Sequence, residues 1–307
     1  MKIALPDLVS NSYFPAIAAI ELGFFREEGI DMELEMIHPV PATFEALRDG
    51  KVDFVAGSAH APLGAFPHWA GSKLVCSLSQ GMYWFLMMRA DLNVERGDLS
   101  ALSGRRLVAA NGVDLGFRGL LKEAGIDTQA EGIQIAPLSG GVAKGVSFGV
   151  AAVDALAAGT IDGLWANGMA AEKAVTSGVA SIVLDVRRGD GPSAAFHFTQ
   201  PALVTTDRLI AEQPDTVAAA VRAIVKTQNA LKADPALAAD VGRKLFPETE
   251  AGLIQRLIER DLPYYDPTVT EEFTNGMNRF AQMMGLTDVT VPHDQIVATR
   301  FSPLWKG

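Results

Sequence analysis

Short apolar runs alternate with longer stretches of helical period through the first two thirds of the chain. KIALP (2–6) reads as a strand. The polar VSNSY (9–13) follows, and Pro15 suits a first helical turn, where a backbone N–H would go unpaired in any case. PAIAAIEL (15–22) continues as helix to Gly23, which fits a left-handed cap, and the alternation in DMELEMI (31–37) predicts a second strand. The same grammar gives a helix over ATFEALRDG (42–50), a strand over VDFVA (52–56), a helix over APLGAFPHW (61–69), and strands over KLVCSLS (73–79) and WFLMM (84–88). Helices alternating with apolar strands imply a mainly parallel sheet covered on both faces.

The polar, turn-rich ADLNVERGDLSALSGRR (90–106) ends that run, and the pattern then restarts. RLVAA, IQIAPL, IDGLWA and SIVLDV read as strands, separated by helices over 111–126, 150–159 and 169–178. GKVDFVAGSAHA (50–61) and GTIDGLWANGMA (159–170) repeat one another, so that Ser58 falls on Asn167 and His60 on Met169. The chain therefore reads as two similar α/β lobes. After FHFTQP (196–201) the pattern is almost wholly helical, and these helices lack strands of their own, so they return to the first lobe. The expected division is 1–89 with 199–307, and 90–198, with hinges near 88–92 and 196–201.

Composition removes several function classes. A net charge of −10 argues against nucleic acid, which needs clustered Lys and Arg. The single cysteine, Cys76, excludes an internal disulfide and cysteine-rich zinc sites, and it reads as a buried core thiol. No stretch approaches the ~20 apolar residues that span a bilayer. Met1-Lys2 runs straight into IALP without a basic region or cleavage site, so the chain is cytoplasmic if Met1 is the true start and periplasmic if a signal was removed upstream.

The runs PAIAAIELGFFREEGIDMELE (15–35) and EALRDGKVDFVAGS (45–58), with SGRRLVAANGVDLG (103–116), resemble the periplasmic substrate-binding proteins of the sulfonate, taurine and nitrate uptake class. The pyrimidine-precursor synthases of thiamine biosynthesis share that fold. The resemblance covers essentially the whole chain. It implies a two-lobed periplasmic-binding-protein fold, type II-like, that holds a small molecule in a cleft between lobes and closes by hinge bending.

Ligands of open α/β sheets sit outside the carboxyl ends of strands, so the loops there supply the candidates. Ser10, Asn11, Ser12 and Tyr13 precede the first helix, where N-capping accounts for one of them and free N–H donors favour an anion. Gly57 and Ser58 match Asn167 in the repeat, and Ser58 and Asn167 are expected to bond the same ligand. Gln80 and Tyr83 lie in SQGMYW (79–84), and Asn111 and Gly112 open the helix at 111, where Asp114 reads as a helix-terminal carboxylate. Ser139 begins SGGVAKG (139–145), which lacks the GKS or GKT ending of a phosphate loop and reads as a cleft rim, with Lys144 solvated. Trp165 borders a polar loop and offers an aromatic face.

His60 lies close to the position at which the resembling synthases carry a histidine that is consumed as substrate. Those synthases also carry a cysteine-rich cluster where this chain reads SAAFHFTQPALVTT, without cysteine. His60 is therefore read as a pocket contact. The other histidines show no metal-ligand spacing, and neither metal nor cofactor is expected.

The leading reading is a non-catalytic receptor that binds an anionic or aromatic small organic molecule and partners the permease of an ABC importer. No nucleophile elbow or Cys–His pair is present, and no close carboxylate pair falls in the predicted cleft. The alternative is a cytoplasmic enzyme on the same fold, precursor-synthase-like or an aromatic-acid decarboxylase, using His60.

Overall fold

The computed structural model describes residues 1–8, 10–140 and 147–306, and of Thr249 the backbone alone. In chain order the regular elements begin with β1 (Lys2–Leu5), α1 (Phe14–Glu21), α2 (Phe24–Glu27), β2 (Glu33–Met36), α3 (Val40–Arg48), β3 (Phe54–Ser58), β4 (Ser72–Ser77) and β5 (Phe85–Arg89). They continue with β6 (Arg106–Ala109), α4 (Asp114–Glu123), β7 (Gln134–Ala136), α5 (Phe148–Ala157), β8 (Gly163–Ala166), α6 (Gly168–Thr176) and β9 (Ala180–Asp185). The last are β10 (Pro201–Thr206), α7 (Asp207–Glu212), α8 (Pro214–Ala233), α9 (Leu237–Leu245), α10 (Glu248–Asp261), α11 (Glu271–Met283) and α12 (His293–Ile296).

The chain forms two compact units, one of Met1–Gly81 with His197–Gly307 and one of Met82–Phe196. The boundary read at 89 thus falls before β5 rather than after it. The reason is pairing: WFLMM has no partner in the first sheet, and β5 pairs antiparallel with both β8 and β9. Each unit holds a five-stranded sheet, of order β2-β1-β3-β10-β4 in the first and β7-β6-β8-β5-β9 in the second. The two orders are the same once β6 is set on β1, and each sheet is mixed, because its one reversed strand (β10 or β5) lies fourth in order.

β10 is the strand that sequence patterning misses. PALVTT is apolar enough to be a strand, but it runs directly into α7 and α8 and so blends into the helical third. APLGAFPHW also departs from expectation, forming two 3₁₀ turns, Ala61–Gly64 and Pro67–Trp69, instead of an α-helix.

The sequence repeat has a physical meaning in this fold. Gly50 and Gly159 follow α3 and α5 at φ +69° and +70°, the left-handed conformation that glycine adopts without penalty. Three residues later Asp53 accepts the Lys2 N–H at 2.7 Å, and Asp162 accepts the Arg106 N–H at 2.9 Å. Each aspartate fastens the start of its sheet's central pair. Hydrogen bonding from Arg106 holds the Asp162 carboxyl below the ordinary aspartate range. At the far end of this shared strand stand Ser58 in one unit and Asn167 in the other.

Candidate functional site

In the first sheet β2 and β3 lie on opposite sides of β1, so the chain leaves the carboxyl ends of β1 and β3 in opposite directions. This is the switch point at which open α/β sheets leave room for a ligand. Residues 10–13 follow β1, Ser58 ends β3, and residues 59 and 60 follow it. Because β10 runs backwards and pairs Pro201 with Ser58, Thr199 and Gln200 arrive at the same edge. All of these are buried.

Some of the polar atoms gathered there are left unsatisfied among the described residues. Ser10 Oγ, Ser12 Oγ, Asn11 Oδ1 and both amide atoms of Gln200 have no hydrogen-bond partner among the described residues. The helix-capping role expected of this loop does not account for them: the N-cap position of α1 is Tyr13, whose side chain makes no cap bond. A buried hydroxyl or amide left unpaired costs about 1–3 kcal/mol, and native interiors carry few of them.

Around these atoms the edge is firmly built. Asn11 donates its Nδ2 to Asp261 Oδ2, and its backbone carbonyl accepts from Tyr265 Oη at 2.8 Å. His60 Nδ1 lies 2.9 Å from Thr199 Oγ1, and its ring meets Phe280 edge-on at 5.4 Å. Trp69 Nε1 holds the Ala59 carbonyl at 3.1 Å, between Ser58 and His60. To bring the indole there the chain adopts φ +56° at His68 and +58° at Trp69, where side chains are strained. Gln80 donates to the carbonyls of Asp266 and Thr268 at 2.9 and 2.7 Å, which makes it a tie to the C-terminal segment. Gly57 packs closely against the Phe44 ring, whose Cζ a Cβ there would meet at 3.0 Å.

The second unit repeats the layout with different chemistry. Trp165, on β8, is fully buried, stacks on Phe117 with centroids 5.0 Å apart, and lies 6.3 Å from Trp84. Its Nε1 has no partner among the described residues. Tyr83 is buried beneath the Arg187 guanidinium, 5.8 Å from the ring centre. Asn167 has structural work: its Oδ1 caps α6, accepting from the Met169 and Ala170 N–H groups at 3.1 Å each. Asn167→Ala is therefore expected to lower stability by about 1 kcal/mol, read in a urea titration, whereas a residue serving the ligand alone would leave the midpoint in place.

Asn111 and Ser139 are exposed. Gly112, at φ +86°, donates to Asp114 Oδ1, and Asp114 also pairs with Arg118 at 3.0 Å. Asp114 is thus the helix-terminal carboxylate that the sequence suggested. Lys144 and most of its loop lie outside the described residues.

A model of the family described as NMT1/THI5-like matches residues 10–238, about three quarters of the chain. The chain belongs to the NMT1/THI5-like family. No curated protein matches the sequence. Among solved structures, the putative sulfonate ABC transporter periplasmic sulfonate-binding protein SsuA of Methylobacillus flagellatus KT is 17% identical with a TM-score of 0.70, over 100% of this chain and 93% of that one. The periplasmic nitrate-binding protein NrtA of Synechocystis PCC 6803 is 13% identical with a TM-score of 0.70, over 99% and 86%. The desulfurization enzyme DszB is 15% identical with a TM-score of 0.65, over 98% and 97%. At these identities the likeness is one of fold.

In this NMT1/THI5-like chain the one cysteine lies in the core. Cys76 is wholly buried on β4, and burial pushes its thiol far above the ordinary range, so it supplies no thiolate. Among the described residues no group of three His, Cys, Asp or Glu side chains could hold a metal ion, and no helix is long and apolar enough to cross a membrane. The residues that sequence reading passes over are Thr199, Gln200, Asp261 and Tyr265. Asp261 carries a signal: Ile254, Leu257, Ile258 and Asp261 fall at i, i+3, i+4 and i+7 of one buried stripe, where a carboxylate is out of place unless it serves a polar partner.

Proposed function

We propose that this NMT1/THI5-like protein is a solute-binding receptor that captures one small organic molecule and hands it to an ABC importer. The observation that carries the reading is the set of polar atoms at the β1–β3 switch point that are buried without a partner among the described residues: Ser10 Oγ, Asn11 Oδ1, Ser12 Oγ and the Gln200 amide. Buried polar atoms of this kind are ones whose hydrogen bonds a bound ligand can complete. Trp165, with its buried indole N–H, is a second group of this kind in the other unit. The named functions of SsuA and NrtA on this fold support the same reading, and so does the lack of a reactive thiol. In this reading the receptor works in the periplasm, as those two proteins do.

A second reading rests on His60, which is buried at the same edge beside a hydroxyl, on a fold that also carries the enzyme DszB. The two readings part in one experiment. Thermal-shift screening of sulfonates, carboxylates, amides and amines should give at least one stabilising compound, because a ligand that binds the native state raises stability by mass action. Mass spectrometry then reads the compound and the protein after incubation. Recovery of the unchanged compound at one per chain supports the receptor; an altered compound, or a modified His60, replaces it with the enzyme.

A further inference from the structure

The polarity of Asn11 is fixed by a residue 250 positions away in the chain. A carboxylate has only acceptors to offer, so the side of the Asn11 amide that faces Asp261 must be its NH₂, and Oδ1 must face the other way. Arg260 Nε lies 3.8 Å from the second carboxylate oxygen, a cation set beside the anion. Tyr265 Oη meanwhile holds the Asn11 backbone carbonyl, so the residue is fastened at both ends by one segment. What Asn11 turns to the rest of the site is therefore an acceptor, buried and without a partner among the described residues.

The surrounding loops bring no cation of their own to an oxyanion. Residues 6–13, 59–71, 78–81 and 197–200, which follow β1, β3 and β4 and precede β10, contain no Lys or Arg. The basic side chain identified at this edge, Arg260, lies beside Asp261. Gln200 brings an amide with both a donor and an acceptor unpartnered among the described residues.

We infer that the solute presents an N–H or O–H donor to Asn11 Oδ1, as a carboxamide, amine or ammonium compound does and a simple carboxylate, sulfonate or nitrate does not, and that Asp261 sets this preference by orienting Asn11. The inference rests on the receptor reading and names the chemistry of its ligand. Asp261 is a positioning residue in it.

The test compares compounds that share a carbon frame: benzamide with benzoate, propionamide with propionate, and taurine with ethanesulfonate. Calorimetry on the full chain should find the donor-bearing member of at least one pair bound tenfold or more tighter than its partner. Asp261→Asn can turn its own N–H to Asn11 Oδ1, allowing Asn11 to present NH₂ instead. That variant should shift the ratio at least tenfold toward the oxyanion, a change that mere loosening of the fold does not produce. An oxyanion bound as tightly as its donor-bearing partner overturns the inference and leaves the receptor standing, as does an unchanged ratio in a folded Asp261→Asn. If that variant does not fold, the ratios of the unaltered protein decide. Failure of every pair to bind overturns both the inference and the receptor reading.

Discussion

Gly163→Ala is expected to destabilise the second unit by roughly 2–3 kcal/mol, lowering the thermal midpoint by on the order of 5–10 °C. A Cβ at this position would stand 2.4 Å from Met88 Sδ, 2.8 Å from the Met87 carbonyl oxygen and 2.9 Å from Leu107 Cδ2. The methionine can swing away. The carbonyl cannot, because it belongs to β5, which is paired on both sides. Relief therefore requires a backbone shift in the middle of a sheet. The repeat sharpens the point, since the slot of Gly163 is filled by Phe54 in the first unit. There the pairing of β10 with β3 ends at Val55, one residue short, whereas β5 stays paired with β8 through Met88 and Gly163. Gly252→Ala on α10 is the control: its Cβ would meet nothing within 4 Å, so replacing a helical glycine should raise stability by about 0.5–1 kcal/mol. Circular dichroism melts of the two variants decide it, and a Gly163→Ala protein that melts within a degree of the parent would show that the sheet yields more readily than the geometry implies.

The same pair of positions shows which features the amino-acid sequence declares. Strand and helix alternation and the glycines that end helices at φ near +70° follow from local rules and are legible residue by residue, whereas the aspartate that ties each β3-like strand to its β1-like neighbour bonds 51 and 56 positions back along the chain. β10 is not, because its identity as the reversed strand depends on Ser58 and Ser77 approaching from distant parts of the chain. The partition at 89 fails for the same reason: whether WFLMM completes one sheet or opens the next is a question of pairing.

The candidate site divides along similar lines. Ser10, Asn11, Ser12, Ser58 and His60 are legible because loops at strand ends are where such sites lie, and the structure brings them to one edge. Polar loop composition does not distinguish ligand groups from structural ones. Asn167 and Gln80 both have ordinary hydrogen-bonding work within their own unit, and Gly57 answers to Phe44. Partnership, which exists only once the chain has folded, is what the sequence does not show. Asp261 is the mirror case, a charge on a buried stripe whose purpose becomes plain when Asn11 is found beside it.

Partnership also fixes the sign of the last expected result. Ser10→Ala and Ser12→Ala should each raise the midpoint of the ligand-free protein and weaken ligand binding. In the free protein each hydroxyl is buried with no partner among the described residues, so it carries a desolvation cost that alanine does not. Alanine keeps the Cβ and the backbone, and no bond is lost from the α1 N-terminus, whose cap position is Tyr13. Relief of about 1 kcal/mol per site corresponds to a rise of roughly 2–4 °C. In the complex the balance reverses. A ligand group that had met the hydroxyl is left unpaired in a dry site, which costs on the order of 1–3 kcal/mol and weakens affinity about five- to a hundred-fold. Opposite signs in stability and binding are the mark of a functional group kept at the expense of the fold. Differential scanning calorimetry of the free variants and titration with any compound found by screening supply the two numbers. Variants that melt earlier than the parent would make these serines structural, and variants that melt later but bind with unchanged affinity would remove them from the site.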